Sequence, residues 1–364
     1  MQKRRNKHII IILLSLTIWL FRTTAFAAES PAEDTNLKEI IFEHIKDAYW
    51  WHITTVNDHH LSIYLPVIIY STNSGFHLFS SAHVDHGNRY KGFYISDSEK
   101  YAGKIVETDG AGREIRPFDV SITKTAFALI FNSFLMIVLF LSIARWYRKR
   151  PVQAVPGGFV GLVEMLVVSM EDDVIRKSIG KDYARFSPYL LTAFFFILIN
   201  NLMGLIPFFP GGANVTGNIA ITLVLALCTM IAVNLFGNKA YWKDIFWPDV
   251  PVLLKVPIPL MPVIEFFGVF SKPFALTIRL FANVTAGHAI AIALTCLIFI
   301  TVKLGAVFHT GMTVFLVILS VLMSLLEILV AFLQAYVFTM LSAVFIGLSR
   351  QEHSHGHPRE IEKT

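Results

Sequence analysis

Six polar side chains with chemical potential lie within two long apolar stretches of the C-terminal half. Glu265, Lys272, Arg279 and His288 fall in 260–301, and Glu327 and Gln334 in 313–349. Charge in a hydrocarbon environment is costly, so such residues mark ion pathways or pair with polar partners. Arginine keeps its proton inside proteins and supplies a fixed positive charge. Arg279 therefore cannot relay protons by titrating; it can block, steer, or hold a carboxylate ionised. His288 and Glu327 both titrate, which makes them the relay candidates. The chemistry implied is proton movement rather than bond making. The competing reading is a polar network that only joins helices. Lys272, nearer the end of its stretch, can also extend its ammonium to the interface.

Spacing sharpens the pairing. In an antiparallel hairpin that turns near residue 307, position 288 faces 327 and position 279 faces 334 at similar depth. The polar break at 303–311 supplies that turn independently. Glu265, Lys272 and Arg279 recur every seven residues and stay near one helix face. His288 is nine residues beyond Arg279, about half a turn round, so the two serve different surfaces of one helix.

The elements that position these residues belong to a membrane protein. The chain has 364 residues, 54% hydrophobic and 16% charged, where soluble domains are about a quarter charged. This excludes an ordinary soluble enzyme and a disordered chain. The net charge of +5 is spread along loops, which suits membrane flanks better than nucleic acid. Cys228 and Cys296 lie in apolar runs and offer neither a disulfide framework nor a metal spacing. Apolar segments predict five spans, at about 125–144, 187–206, 217–237, 260–301 and 313–349. The segment 158–180 is half apolar and carries Glu164, Glu171, Asp172, Asp173, Arg176 and Lys177; it reads as an interfacial helix. The loop 238–259 holds charges and four prolines. The last two stretches are each near twice the ~20 residues a perpendicular crossing needs, so they are expected as a strongly tilted antiparallel hairpin. The cluster Arg145-Trp-Tyr-Arg-Lys-Arg150 places the end of the first span at the cytoplasmic face.

The segment before the spans is different. Residues 1–27 combine Lys3, Arg4, Arg5 and Lys7, a short apolar stretch and Ala25-Phe-Ala27. That pattern is a secretory signal peptide, or alternatively an uncleaved anchor. Residues 28–124 are expected to form a small α+β extracytoplasmic domain, with a helix over 40–52. An edge strand over 63–70, interrupted by Pro66, is expected beside it. A hairpin is expected around Asp109-Gly110. Its seven histidines show no metal-ligand spacing. The cytoplasmic tail, 350–364, contains His353-Ser-His-Gly-His357, which reads as a solvated tail or a weak chelator.

Three blocks resemble a known family. Phe270-Ser-Lys-Pro-Phe-Ala-Leu-Thr-Ile-Arg-Leu-Phe-Ala-Asn-Val-Thr-Ala-Gly-His288 is similar to the signature of the a subunit of the F-type ATP synthase membrane sector. Asn200-Asn-Leu-Met-Gly-Leu-Ile-Pro207 and Leu326-Glu-Ile-Leu-Val-Ala-Phe-Leu-Gln-Ala-Tyr-Val-Phe-Thr-Met-Leu341 resemble two further blocks, in family order. The resemblance covers roughly 126–349. It implies that Arg279 is the stator arginine facing the carboxylates of a rotating c-ring, with Gln334 beside it and Asn283 next to it. It implies that His288 and Glu327 form the acid/histidine pair of an outer proton half-channel, and that Glu265 lies near the inner one. Some members carry the acid and the histidine in the opposite order. The implied fold is an all-α polytopic membrane protein of the bacterial inner membrane. The implied partners are c-ring rotor subunits, b-type peripheral stalk subunits, membrane lipid and, indirectly, the F1 catalytic sector. No cofactor is implied. The chain contains no G-x-x-x-x-G-K-[ST] loop, so phosphate chemistry belongs to a partner. The competing class is a stand-alone secondary transporter or ion channel, which often shows two similar halves; no internal repeat is evident here. A receptor with a membrane anchor would not need the buried Arg279, His288 and Glu327.

Overall fold

The computed structural model describes residues 47–56, 59–72, 74–96, 98, 100–109, 112–151, 153–206, 209–247, 260–301 and 306–350. The expected signal peptide, most of the expected 40–52 helix, the 248–259 part of the proline-rich loop and the histidine tail lie outside the described residues. The chain divides into two compact units. The first runs up to Val138 and adds Ile199–Val215 and Val284–Ala331. The second comprises Leu139–Leu198, Thr216–Asn283 and the chain from Phe332 onward.

The first unit begins with eight strands: β1 (Trp50–Val56), β2 (His59–Tyr64), β3 (Pro66–Ser71), β4 (Gly75–Ser80), β5 (Phe93–Ile95), β6 (Ile105–Thr108), β7 (Glu114–Ile115) and β8 (Phe118–Asp119). They form a β1-β2 pair and two three-stranded sheets, ordered β4-β3-β8 and β5-β6-β7. Among the described residues before Lys124 there are strands and two short 3-10 turns but no α-helix, so the helical part of the α+β expectation is not seen there. Two local expectations need correction. Trp50, Trp51 and His52 are strand, not helix, because their aromatic and β-branched neighbours favour a pleated surface. The 63–70 segment breaks at Leu65, and β3 is the central strand of its sheet, not an edge. Pro66 is tolerated there because it is the first strand residue. β6 and β7 pair antiparallel, with Glu107 opposite Ile115, as a hairpin over Asp109-Gly110 requires.

Alternation along β3 buries Val67 and Ile69 against Tyr49, Phe79, Val84, Phe93 and Ile105. The Tyr49 hydroxyl donates to Asp119 at 2.5 Å; burial, then this bond, push its ionisation well above the usual range. His77 and His83 pack against Phe93 and Tyr90, and each bonds a backbone carbonyl three residues away. These are local structural roles.

Helices follow: α1 (Lys124–Arg148), α2 (Gly158–Ser169), α3 (Arg176–Ile179), α4 (Tyr183–Gly204), α5 (Ile219–Leu235), α6 (Lys239–Phe246), α7 (Leu260–Thr301) and α8 (Ala306–Arg350). A π-helical turn, Met170–Ile175, joins α2 to α3 and carries Glu171, Asp172 and Asp173. Two of these acids pair one turn on, Asp172 with Arg176 at 2.9 Å and Asp173 with Lys177 at 2.8 Å. Four helical stretches among the described residues are long and apolar enough to cross a membrane. A fifth is added if α5 and α6, bent by 102°, count as one. The chain is a mostly helical, polytopic membrane protein. α7 and α8 are unbroken at 42 and 45 residues, despite Pro273 inside α7. At ~1.5 Å per residue each is over ~60 Å long, about twice a ~30 Å hydrocarbon core. α8 starts at Ala306, seven residues before the expected 313, because the apolar pattern continues through Val307 and Phe308.

In the second unit small and polar residues draw the helices together, as expected where lipid offers no hydrophobic drive for helix association. Tyr189 bonds Thr229 at 2.9 Å, and Thr229 bonds the fully buried Ser342 at 3.2 Å. Arg350 ends α8 in a clamp. It donates to the Phe236 carbonyl at 3.1 Å and to Asn238 Oδ1 at 3.2 Å, and it pairs with Asp182. Asn238 returns a bond to the Arg350 carbonyl at 2.7 Å. Gly347 packs directly on the Ser178 carbonyl, where a Cβ has no room. Gly347→Ala is expected to cost about 1–3 kcal/mol, read as a lower thermal midpoint of the purified complex. Gly268→Ala, with nothing within 4 Å of the new methyl and a better helix former inside α7, should not lower that midpoint.

Candidate functional site

Among the six residues singled out above, the structure joins two by a direct contact. His288 Nδ1 on α7 lies 3.3 Å from Glu327 Oε1 on α8, and the two side chains are only 19% and 18% exposed. Both belong to the first unit. Each sits mid-helix, where the backbone is already satisfied by its own i→i−4 bonds, so the side chains alone carry the polarity. Gly287 makes the approach possible: a Cβ there would stand 3.1 Å from Glu327 Oε1. The imidazole's other nitrogen faces the end of α4. A Cβ on Gly204 would lie 3.6 Å from His288 Nε2 and 3.5 Å from the Ala213 carbonyl. The ring is thus held between a carboxylate and a close-packed turn.

Buried amides join the helices of the same unit. Asn132 on α1 donates to Asn200 on α4 at 3.0 Å, and Asn201 donates to the Ala331 carbonyl on α8 at 3.2 Å. Asn132, Asn200 and Asn201 are 2%, 2% and 4% exposed. Sequence reading did not assign roles to Asn132, Gly204 or Gly287. Asparagine inside an apolar run was the available signal for the first. The glycines act through what packs against them, which spacing alone does not reveal.

The second unit holds Glu265, Lys272, Arg279, Asn283 and Gln334. Arg279 and Asn283 are exposed on α7, Glu265 is half-buried, and Gln334 on α8 is 8% exposed. Among the described residues Arg279 makes no ion pair or hydrogen bond, and none joins it to Gln334. An exposed guanidinium on an apolar helix is suited to a carboxylate from outside its own chain. Lys272 lines a cavity of about 20 Å³ with Asn234, Tyr241, Thr229 and Phe345. That is room for about one water, and the Lys272 ammonium lies 5.6 Å from the centre of the Phe345 ring. Among the described residues no group of three metal-ligating side chains occurs.

Comparison with known proteins places this arrangement. Residues 127–347 match the family model described as ATP synthase A chain. Residues 40–124 match a separate model, a domain of unknown function (DUF8433). ATP synthase subunit a of Chlorobium phaeobacteroides is 42% identical over 245 residues, covering 65% of this chain and 68% of the relative. ATP synthase subunit a of Chloroherpeton thalassium is 39% identical over 250 residues, covering 67% and 71%. That of Myxococcus xanthus is 40% identical over 254 residues, covering 66% and 78%. The matched span contains the His288–Glu327 pair and the buried amides of the same unit, together with Arg279 and Gln334, and the chain belongs to the ATP synthase A chain family.

Proposed function

We propose that this chain is the non-catalytic stator subunit of the proton-translocating F0 sector of an ATP synthase. His288 and Glu327 line its outer half-channel, and the contact between them is the observation that carries the reading. A titratable imidazole 3.3 Å from a carboxylate, within two apolar helices, is a proton relay in a place where any buried charge is costly. Protons enter past this pair and neutralise a carboxylate on a c-ring subunit, which can then face lipid. After the ring turns, that carboxylate meets Arg279, is held ionised there, and releases its proton toward Glu265. Gln334 and Asn283 flank the arginine. Each charge crossing 100 mV supplies about 2.3 kcal/mol, so several crossings are coupled to each ATP made on the attached F1 sector. The b-type stalk holds the stator against the torque.

The same reading sets the topology. The polar N-terminal block lies outside the cytoplasm, behind a signal peptide, and the C-terminal tail lies inside. The basic, aromatic end of α1 supports this, with Arg150 stacked 4.6 Å from the Trp146 ring centre. The test is passive proton conductance of membranes stripped of the F1 sector, measured per assembled complex. Glu327→Gln keeps the size and removes the titration, and conductance is expected to fall by about tenfold or more. Unchanged conductance would overturn the assignment of the path.

A further inference from the structure

The N-terminal β domain is fastened to the wall of the relay itself. Trp51 of β1, 3% exposed, stands edge-on to Phe209 at 5.3 Å and to Phe127 at 6.0 Å. Phe127 and Phe209 stack at 5.7 Å. Phe127 belongs to the first turn of α1, and Phe209 lies in the connection between α4 and α5. In that connection Gly212 N bonds the Met203 carbonyl at 3.1 Å. The connection is also packed so closely that a Cβ on Gly211 would fall 2.6 Å from the Ile206 carbonyl. At its start, a Cβ on Gly204 would stand 3.6 Å from His288 Nε2 and 3.5 Å from the Ala213 carbonyl. The β domain therefore packs, through Trp51, on Phe209 of the same connection whose first residues, at Gly204, lie beside the imidazole. A second fastening holds the domain to α1. Asp47 accepts from Thr125 N at 2.9 Å and the Ala48 carbonyl accepts from Lys124 N at 2.8 Å, so an acid caps the positive end of the helix. The Lys124 ammonium is 5.5 Å from the Trp51 ring centre.

We propose that the N-terminal β domain is a working part of proton entry: through Trp51 and Phe209 it steadies the end of α4, at Gly204, that lies beside His288 and fixes its position. The proposal rests on the proton-path reading above and gives the domain a positioning role within it. Proton transfer depends steeply on geometry, and a displacement near 1 Å can cost up to about a hundredfold.

The experiment uses the whole assembled complex, with passive proton conductance normalised to subunit content on a native gel. Trp51→Ala removes the wedge and Trp51→Phe keeps an aromatic ring in place. Trp51→Ala is expected to lower conductance per complex about five- to tenfold, and Trp51→Phe to restore most of it. A role confined to folding would lower the amount of complex and leave conductance per complex unchanged, which overturns the proposal. If Trp51→Ala yields no complex, Phe209→Leu loosens the same contact from the other side and is judged by the same rule. Glu327→Gln in the same membranes separates the two readings. Loss in Glu327→Gln with normal conductance in both aromatic variants overturns the positioning role alone, whereas normal conductance in Glu327→Gln overturns the path.

Discussion

Replacing Arg279 by alanine is expected to abolish ATP-driven proton pumping in inverted vesicles while the complex still assembles. Assembly should survive because Arg279 is exposed and bonded to nothing among the described residues of its own chain. No buried partner is orphaned when the guanidinium is removed, and α7 gains a better helix former. Function should not survive if the proposed mechanism holds, because there the arginine supplies the only effect asked of that position. Two unit charges about 4 Å apart interact by ~4 kcal/mol at an effective dielectric near 20. That is roughly a thousandfold preference for an ionised over a neutral rotor carboxylate, at ~1.4 kcal/mol per decade. Without it the carboxylate passes the stator still protonated, and rotation no longer commits the proton to the inner side. Arg279→Lys separates charge from chemistry. An ammonium can lose its proton when desolvated, whereas a guanidinium does not, so lysine is expected to recover only a small part of pumping. Normal pumping by assembled Arg279→Ala complex would remove Arg279 from the mechanism and favour a self-contained transporter.

What the sequence made legible follows from which forces act locally. The long helices could be read because a membrane span is specified by its own composition: uncharged apolar runs recur at 125–144 and beyond, and α7 has the expected bounds, 260–301. The His288–Glu327 contact could be read because an antiparallel hairpin couples position to index. The expected turn at 307, however, falls inside α8, which begins at Ala306, and the other expected pair, Arg279 and Gln334, is not joined among the described residues. The β domain was less legible. Trp50 to Val56 follow an acidic, helix-like stretch, and their strand state depends on pairing with His59–Tyr64, which no local pattern announces. Pro66 suggested an edge strand, yet β3 gained neighbours on both sides because the proline fell at its first residue. The fastening of Trp51 to Phe209 joins positions 158 residues apart in the chain; it is a product of tertiary packing alone. The same holds for Gly204 and Gly287, whose roles are defined by the side chains that rest on them.

Exchanging the two members of the relay is the sharper of the two large-effect tests. His288→Glu alone sets two carboxyl groups against each other, and Glu327→His alone sets two imidazoles. Like groups at this separation resist sharing charge, and neither single variant keeps an acid next to an imidazole. Each is expected to lose about tenfold or more of the passive conductance. The double variant restores one acid and one imidazole at the same two backbone positions. Nothing in the geometry requires the histidine to be on α7. Glycine stands against both side chains, Gly287 beside Glu327 and Gly204 beside His288, so no Cβ obstructs the exchanged pair at those two points. The family resemblance points the same way, since some members carry the pair in the opposite order. Conductance of the double variant is therefore expected to return to within about threefold of wild type, a coupling far beyond additivity for two residues in contact. Proton transfer through a mutually bonded pair predicts that rescue. If the double variant is instead as inactive as either single one, His288 acts through its position beside Gly204 at the end of α4, and the imidazole cannot be moved. The Trp51 and Phe209 variants would then become the more informative probes, because they act on that end of α4 while leaving both titrating groups in place.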